Sequence, residues 1–110
     1  MYQNLTVEEY KAQFYDAEQD HVLLDVRTVE EYEEVRIPGA LHIPLDELTD
    51  RIEEVEELAD KPLVMVCRTG VRSIMAAQIL RVSGLDDAEI FNIKEGTMGW
   101  IQSGYPYEAG

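Results

Sequence analysis

The chain has 110 residues, 45% of them hydrophobic and 29% charged, the balance of a globular protein able to bury its own core. Its formal net charge of −14 argues against nucleic acid and anionic membrane as partners, since binding either depends on a basic footprint. One cysteine excludes an internal disulfide, no apolar run approaches the roughly 18 residues that cross a bilayer, and the N-terminal MYQNLTVEEY lacks the make-up of a secretion signal, so a cytoplasmic location is expected.

Thr6 and Glu9 have capping-box spacing, and Val7, Tyr10 and Phe14 recur at helical intervals, which predicts a helix near residues 7–16. HVLLDV at 21–26 reads as a strand buried on both faces. Thr28 and Glu31 repeat the capping pattern and predict a short helix through Val35, ended by the Pro38-Gly39 turn. ALHI at 40–43 is a strand stopped by Pro44. Over residues 45–59, Leu48, Ile52, Val55 and Leu58 form one apolar stripe among acids, the pattern of an amphipathic helix whose acidic side is a solvated face. LVMVC at 63–67 is a further strand, and residues 73–82 are a helix with Gly84 as its C-cap. AEIFNI at 88–93 completes the strands, and Gly96, Gly99, Trp100, Gly104 and Pro106 mark a turn-rich end in which Trp100 packs as core. Strands alternating with helices predict one α/β domain over residues 1–110, with a mainly parallel sheet and helices on both faces.

The lone thiol sits in VMVCRTGVRS, residues 64–73. On strand position alone Cys67 reads as a small core hydrophobe, inert and buried. The residues after it point elsewhere. In open α/β sheets ligands bind beyond the carboxyl ends of the strands, and here Cys67 closes a strand while Ser73 opens a helix. Arg68, Thr69, Gly70, Val71 and Arg72 form the connecting loop, in which Gly70 permits tight turning and successive amides can converge as an anion-binding nest. Such amides, the helix N-terminus and nearby arginines favour a thiolate. Arg68 and Arg72 are candidates to hold an anionic substrate and Ser73 to donate a hydroxyl, so the pattern reads as a nucleophile that attacks or carries an anionic group.

Four stretches carry a resemblance in order: LLDVRTVEEY (23–32), IPGALHIPLDEL (37–48), VMVCRTGVRS (64–73) and EGTMGWIQSGYP (95–106). Together they resemble a single-domain rhodanese, a sulfurtransferase that carries sulfur as a persulfide on its cysteine. The resemblance implies a rhodanese-like fold with a five-stranded, mainly parallel sheet. It also implies that Cys67 takes sulfane sulfur from thiosulfate or a related small anionic donor and passes it to cyanide, a small thiol or a protein thiol. No metal or organic cofactor is implied. Related uses of the fold are a non-turnover sulfur relay or regulatory interaction domain, and the phosphatases and arsenate reductases. Those last enzymes have five residues between cysteine and arginine, whereas Arg68 to Val71 leave four before Arg72, the shorter, sulfur-handling length.

Asp25 and Arg27 match the family's Asp-Val-Arg signature. They either orient the Cys67 loop, or Arg27 pairs with Glu30 or Glu31 and holds the strand-to-helix turn. Val35 and Arg36 stand where the family has Gly-His, and His42 stands where it commonly has asparagine. His21 opens a strand, at the end away from the site, and neither histidine is favoured as a general base. Two histidines and one cysteine, with no Cys-X-X-Cys, do not make up the ligand set of a structural zinc site.

Overall fold

The computed structural model describes residues 2–110. Five strands form one sheet: β1 (Gln3–Leu5), β2 (Val22–Asp25), β3 (Leu41–His42), β4 (Leu63–Val66) and β5 (Ile90–Ile93). Their order is β1-β5-β4-β2-β3, and every pairing is parallel. The helices are α1 (Val7–Tyr10), α2 (Val29–Glu34), α3 (Ile52–Glu56), α4 (Arg72–Val82) and α5 (Gly96–Gln102).

Alternation along the strands sorts the core into two layers. Leu24, Leu63, Met65 and Cys67 face the layer built with Leu48, Val55, Ala76, Ala77 and Leu80, so α4 and the 45–59 segment cover that side. Leu23, Val64, Val66, Phe91 and Ile93 face the opposite layer, which Tyr10 of α1, Phe14 of the turn after it and Trp100 of α5 fill. All residues of β2, β4 and β5 are buried, as central strands covered on both faces must be. Both capping boxes form: Thr6 accepts from the Glu9 amide and Thr28 from the Glu31 amide, and each glutamate bonds back.

Several expected boundaries shift. The helix at 7–16 is α-helical only to Tyr10 and continues as a π-turn through Lys11–Tyr15, which leaves Tyr10 and Phe14 both buried and stacked at 5.9 Å. The single helix expected over 45–59 is two 3₁₀ turns, Leu45–Glu47 and Thr49–Arg51, followed by α3. Its apolar residues recur largely every third position, a spacing that 3₁₀ turns satisfy as well as an α-helix does. β1 was not visible because three residues of an edge strand carry no periodicity; it is held by pairing Gln3, Asn4 and Leu5 with Phe91, Asn92 and Ile93. The end expected to be turns contains α5. Two glycines weaken it as a helix, but Trp100 is fully buried in it, with its indole Nε1 donating to the Pro106 carbonyl at 2.6 Å.

Candidate active site

β4 ends at Val66, so Cys67 is the first residue past the strand, and α4 begins at Arg72, one residue earlier than expected. The chain must therefore reverse within residues 67–71 at the carboxyl end of the sheet. Gly70 makes the turn at φ +92°, and a Cβ there would overlap the Lys94 carbonyl. From the other side Gly96, at φ +69°, lies against the Cys67 and Arg68 carbonyls with no room for a side chain. The first amides of α5 reach the same carbonyls, Thr97 N donating to Cys67 O at 2.8 Å and Met98 N to Arg68 O at 3.1 Å. Two strand ends and a helix start thus clamp the loop.

Inside the clamp Cys67 is 1% exposed, and its Sγ accepts from the Gly70 amide at 3.1 Å and lies 3.4 Å from Ser73 Oγ. Burial pushes the thiol up, but the Ser73 hydroxyl and the amides of Ser73, Gly70 and Thr69 outweigh it, so the thiol ionises below its ordinary value. Ser73 Oγ also donates to Asn92 Oδ1, while Asn92 Nδ2 donates to Asn4 Oδ1 at 3.1 Å and to Gly70 O at 3.4 Å. The single hydroxyl proton of Ser73 can face either Asn92 or sulfur. Toward Asn92 it satisfies the Oδ1 acceptor, and toward a thiolate it would give the sulfur a second donor beside the Gly70 amide.

The loop side chains divide. Thr69 and Val71 are exposed and Gly70 is buried, so the contribution of these three is their backbone. Arg68 is exposed and forms no ion pair among the described residues. Arg72, expected to hold a substrate, is forked onto Glu31, Nη1 to Oε1 at 2.8 Å and Nη2 to Oε2 at 2.9 Å. The Arg72 hydrogen bonds hold Glu31 down at about 2, and the same hydrogen bonds, followed by the Glu31, Cys67 and Asp25 charges, hold Arg72 above its usual range. Arg72 therefore lends Cys67 positive field while its donors serve to pin α2 to the loop.

Asp25 and Arg27 pair with each other, fully buried, Nη2 to Oδ2 at 2.7 Å and Nε to Oδ1 at 2.9 Å. The expected partner, a carboxylate of Glu30 or Glu31, is not the one used. Arg27 instead reaches the main-chain carbonyls of Glu31 at 3.2 Å and Val35 at 2.8 Å, closing the C-terminal end of α2. The pair is adjacent to the loop because Asp25 is in register with Val66. His42 donates from Nε2 to the Arg27 carbonyl at 2.8 Å and stacks on Tyr32, and His21 lies at the other end of the sheet between Tyr10 and Gln19. Neither histidine is placed beside Cys67.

Asn92, Asn4 and Glu31 are the members of the site that residue type did not single out. Asn92 had a signal, since it is the one polar side chain within the buried strand IFNI.

A model of the rhodanese-like domain family matches residues 6–103. YrkF of Bacillus subtilis (strain 168), provisionally named a sulfur carrier protein, is 35% identical over 96 residues, covering 87% of this chain and 49% of YrkF. A sulfurtransferase of Allochromatium vinosum is 32% identical over 91 residues, covering 83% of this chain and 81% of the relative. The crystal structure of a thiosulfate sulfurtransferase from Pseudomonas aeruginosa superposes with a TM-score of 0.85 at 31% identity, across 99% of this chain and 20% of that one. The chain thus spans about half the length of YrkF and a fifth of the Pseudomonas chain.

Proposed function

The chain belongs to the rhodanese-like domain family, and on that premise we propose that it is a sulfurtransferase carrying sulfane sulfur as a persulfide on Cys67, with residues 1–110 acting as one catalytic unit. The observation that carries this reading is the seat of Sγ, a sole thiol whose ionised form is favoured by converging amides and a hydroxyl.

In the first half-reaction the Cys67 thiolate attacks the outer sulfur of a thiosulfate-like donor. The bond between that sulfur and the sulfonate sulfur breaks, sulfite leaves with the bonding pair, and Cys67 holds a persulfide. In the second, cyanide or a thiolate attacks the outer sulfur and leaves as thiocyanate or a new persulfide, returning the thiolate. Amides of the 67–73 loop stabilise the anionic sulfur in both steps. Because Cys67 itself is buried, an added sulfur extends the reactive atom toward the mouth of the loop. Arg68 contacts the donor anion, and Arg72, tied to Glu31, positions the loop. Asp25 and Arg27 act through the loop's support. The four-residue interval from Cys67 to Arg72 favours sulfur over phosphate or arsenate.

The same burial supports a second reading, a relay in which specific protein thiols load and unload Cys67, in keeping with the provisional name of YrkF. Steady-state thiocyanate formation from thiosulfate and cyanide, compared with single-turnover transfer to dithiothreitol, separates the two. Many turnovers support the enzyme, and one discharge without reloading supports the relay. Turnover retained in Cys67→Ser overturns both.

A further inference from the structure

The chain carries nine basic side chains. Lys11, Arg27, Arg36, Arg51, Lys61 and Arg72 are each within ion-pair distance of a carboxylate, and Arg81 is bound by main-chain carbonyls. The side chains of Arg68 and Lys94 are the two with neither an ion pair nor a hydrogen bond among the described residues, and both are exposed. Both stand at the mouth of the Cys67 loop. Met65 is in register with Asn92, and the chains that leave β4 and β5 through Cys67 and Lys94 emerge at the same carboxyl end of the sheet. The buried turn at Gly70 rests on the Lys94 carbonyl, and the Lys94 amide is fixed to Leu5 at 2.9 Å. Ile90 packs into the layer beneath α4 and Asn92 bonds to Ser73, whereas Phe91 and Ile93 face the other layer. Lys94 is the first residue past β5, in the turn that leads to α5, so its exposed side chain leaves from backbone that borders the Gly70 turn.

We propose that Lys94 is an anion-recruiting residue of this mouth, acting with Arg68 beside an Arg72 that is paired with Glu31. The inference rests on the sulfur-transfer reading for the identity of the anion, a small oxyanion bearing sulfane sulfur, but not for its electrostatics. In a chain of net charge −14, an approaching dianion is repelled at long range, so unpaired cations beside the thiol decide whether it arrives. A lysine on a flexible four-carbon stem suits this task, since it can meet the anion without a fixed fork geometry.

The test uses alkylation of Cys67, the only cysteine, by iodoacetate and by iodoacetamide. Their rate ratio cancels changes in thiolate fraction and reads the attraction of the site for an anion. Lys94→Ala is expected to lower the ratio about three- to fivefold, the scale of one surface charge acting across several ångströms, and Lys94→Arg to restore it. Lys61→Ala removes the same charge at the opposite end of β4, where Lys61 lies 3.5 Å from Asp20, and is expected to leave the ratio nearly unchanged. With thiosulfate as the donor, Lys94→Ala should raise KM by a similar factor while kcat holds. A ratio that falls equally in Lys94→Ala and Lys61→Ala overturns the proposal, as does an unchanged thiosulfate KM in Lys94→Ala. A ratio that falls only in Lys94→Ala, in a protein that shows no thiosulfate turnover, upholds Lys94 as the anion-recruiting residue and removes the thiosulfate reading instead.

Discussion

Gly70→Ala probes the clamp on the Cys67 loop at its tightest point. The residue sits at φ +92°, where an L side chain is strained, and the added methyl would overlap the Lys94 carbonyl, a backbone group that cannot swing aside. Left-handed backbone costs an alanine about 1–2 kcal/mol, and forcing the loop from the Lys94 carbonyl adds about 1–3 kcal/mol. A total near 3 kcal/mol corresponds to a fall in Tm of roughly 10–20 °C for a domain of this size. The same displacement withdraws the Gly70 amide from Sγ, now at 3.1 Å, so alkylation of Cys67 by iodoacetamide at fixed pH should slow as well. Gly84→Ala is the matched control: Gly84 has φ +102° and nothing within 4 Å of where the new methyl would lie, so it bears the conformational cost alone and leaves alkylation untouched. Thermal unfolding and alkylation of the two variants decide the matter. If Gly70→Ala unfolds with Gly84→Ala and keeps the wild-type alkylation rate, the clamp does not set the thiol's environment.

Three further perturbations address the groups around the thiol. Ser73→Ala removes the hydroxyl 3.4 Å from Sγ, and a hydrogen bond to a charged acceptor is worth about 1.5–3 kcal/mol, so alkylation below the thiol's titration point should slow roughly tenfold with the midpoint of its pH profile moved up. Asp25→Ala leaves the Arg27 guanidinium buried without its counter-charge, and urea unfolding should show a loss of about 3–5 kcal/mol, far more than an exposed ion pair such as Lys11 with Asp16 would give. Glu31→Gln retains the capping-box acceptor but loses the charge that Arg72 grips. Because folding depresses the Glu31 carboxyl from 4.5 to about 2, its contribution is fully present above pH 4.5 and lost as pH falls toward 2. The variant should therefore be weaker by about 1 kcal/mol at pH 7, a value set by the pair's partial exposure, and converge with the wild type near pH 2; a pH-independent gap in urea midpoints would show that the charge is not what matters.

What the sequence disclosed depended on whether the interacting residues were neighbours in the chain. Cys67 to Ser73 are consecutive, so strand, turn glycine and helix start could be read together, and the sulfur's donors come from within that stretch. The parallel direction of β2, β4 and β5 followed from apolar runs separated by helical segments, while their order in the sheet did not. Asn4 and Asn92 are 88 positions apart and meet only because β1 adds beside β5, a pairing that three residues of edge strand do not announce. Arg72 likewise looked free as a substrate ligand because Glu31, its partner, lies 41 positions upstream and was already accounted for by its role in the Thr28 capping box. The helix at Gly96–Gln102 escaped for a related reason. Its glycines lower local propensity, and the compensation comes from long-range contacts: Trp100 in the core and its first amides on the Cys67 and Arg68 carbonyls.

Intact-mass spectrometry of the protein after brief exposure to thiosulfate tests the persulfide on Cys67 most directly. The expected result is a gain of about 32 Da, reversed by dithiothreitol or cyanide and absent from Cys67→Ser. An unmodified mass in the wild type after thiosulfate and after a low-molecular-weight persulfide donor, or an equal gain in Cys67→Ser, would contradict the assignment of Cys67 as the sulfur carrier.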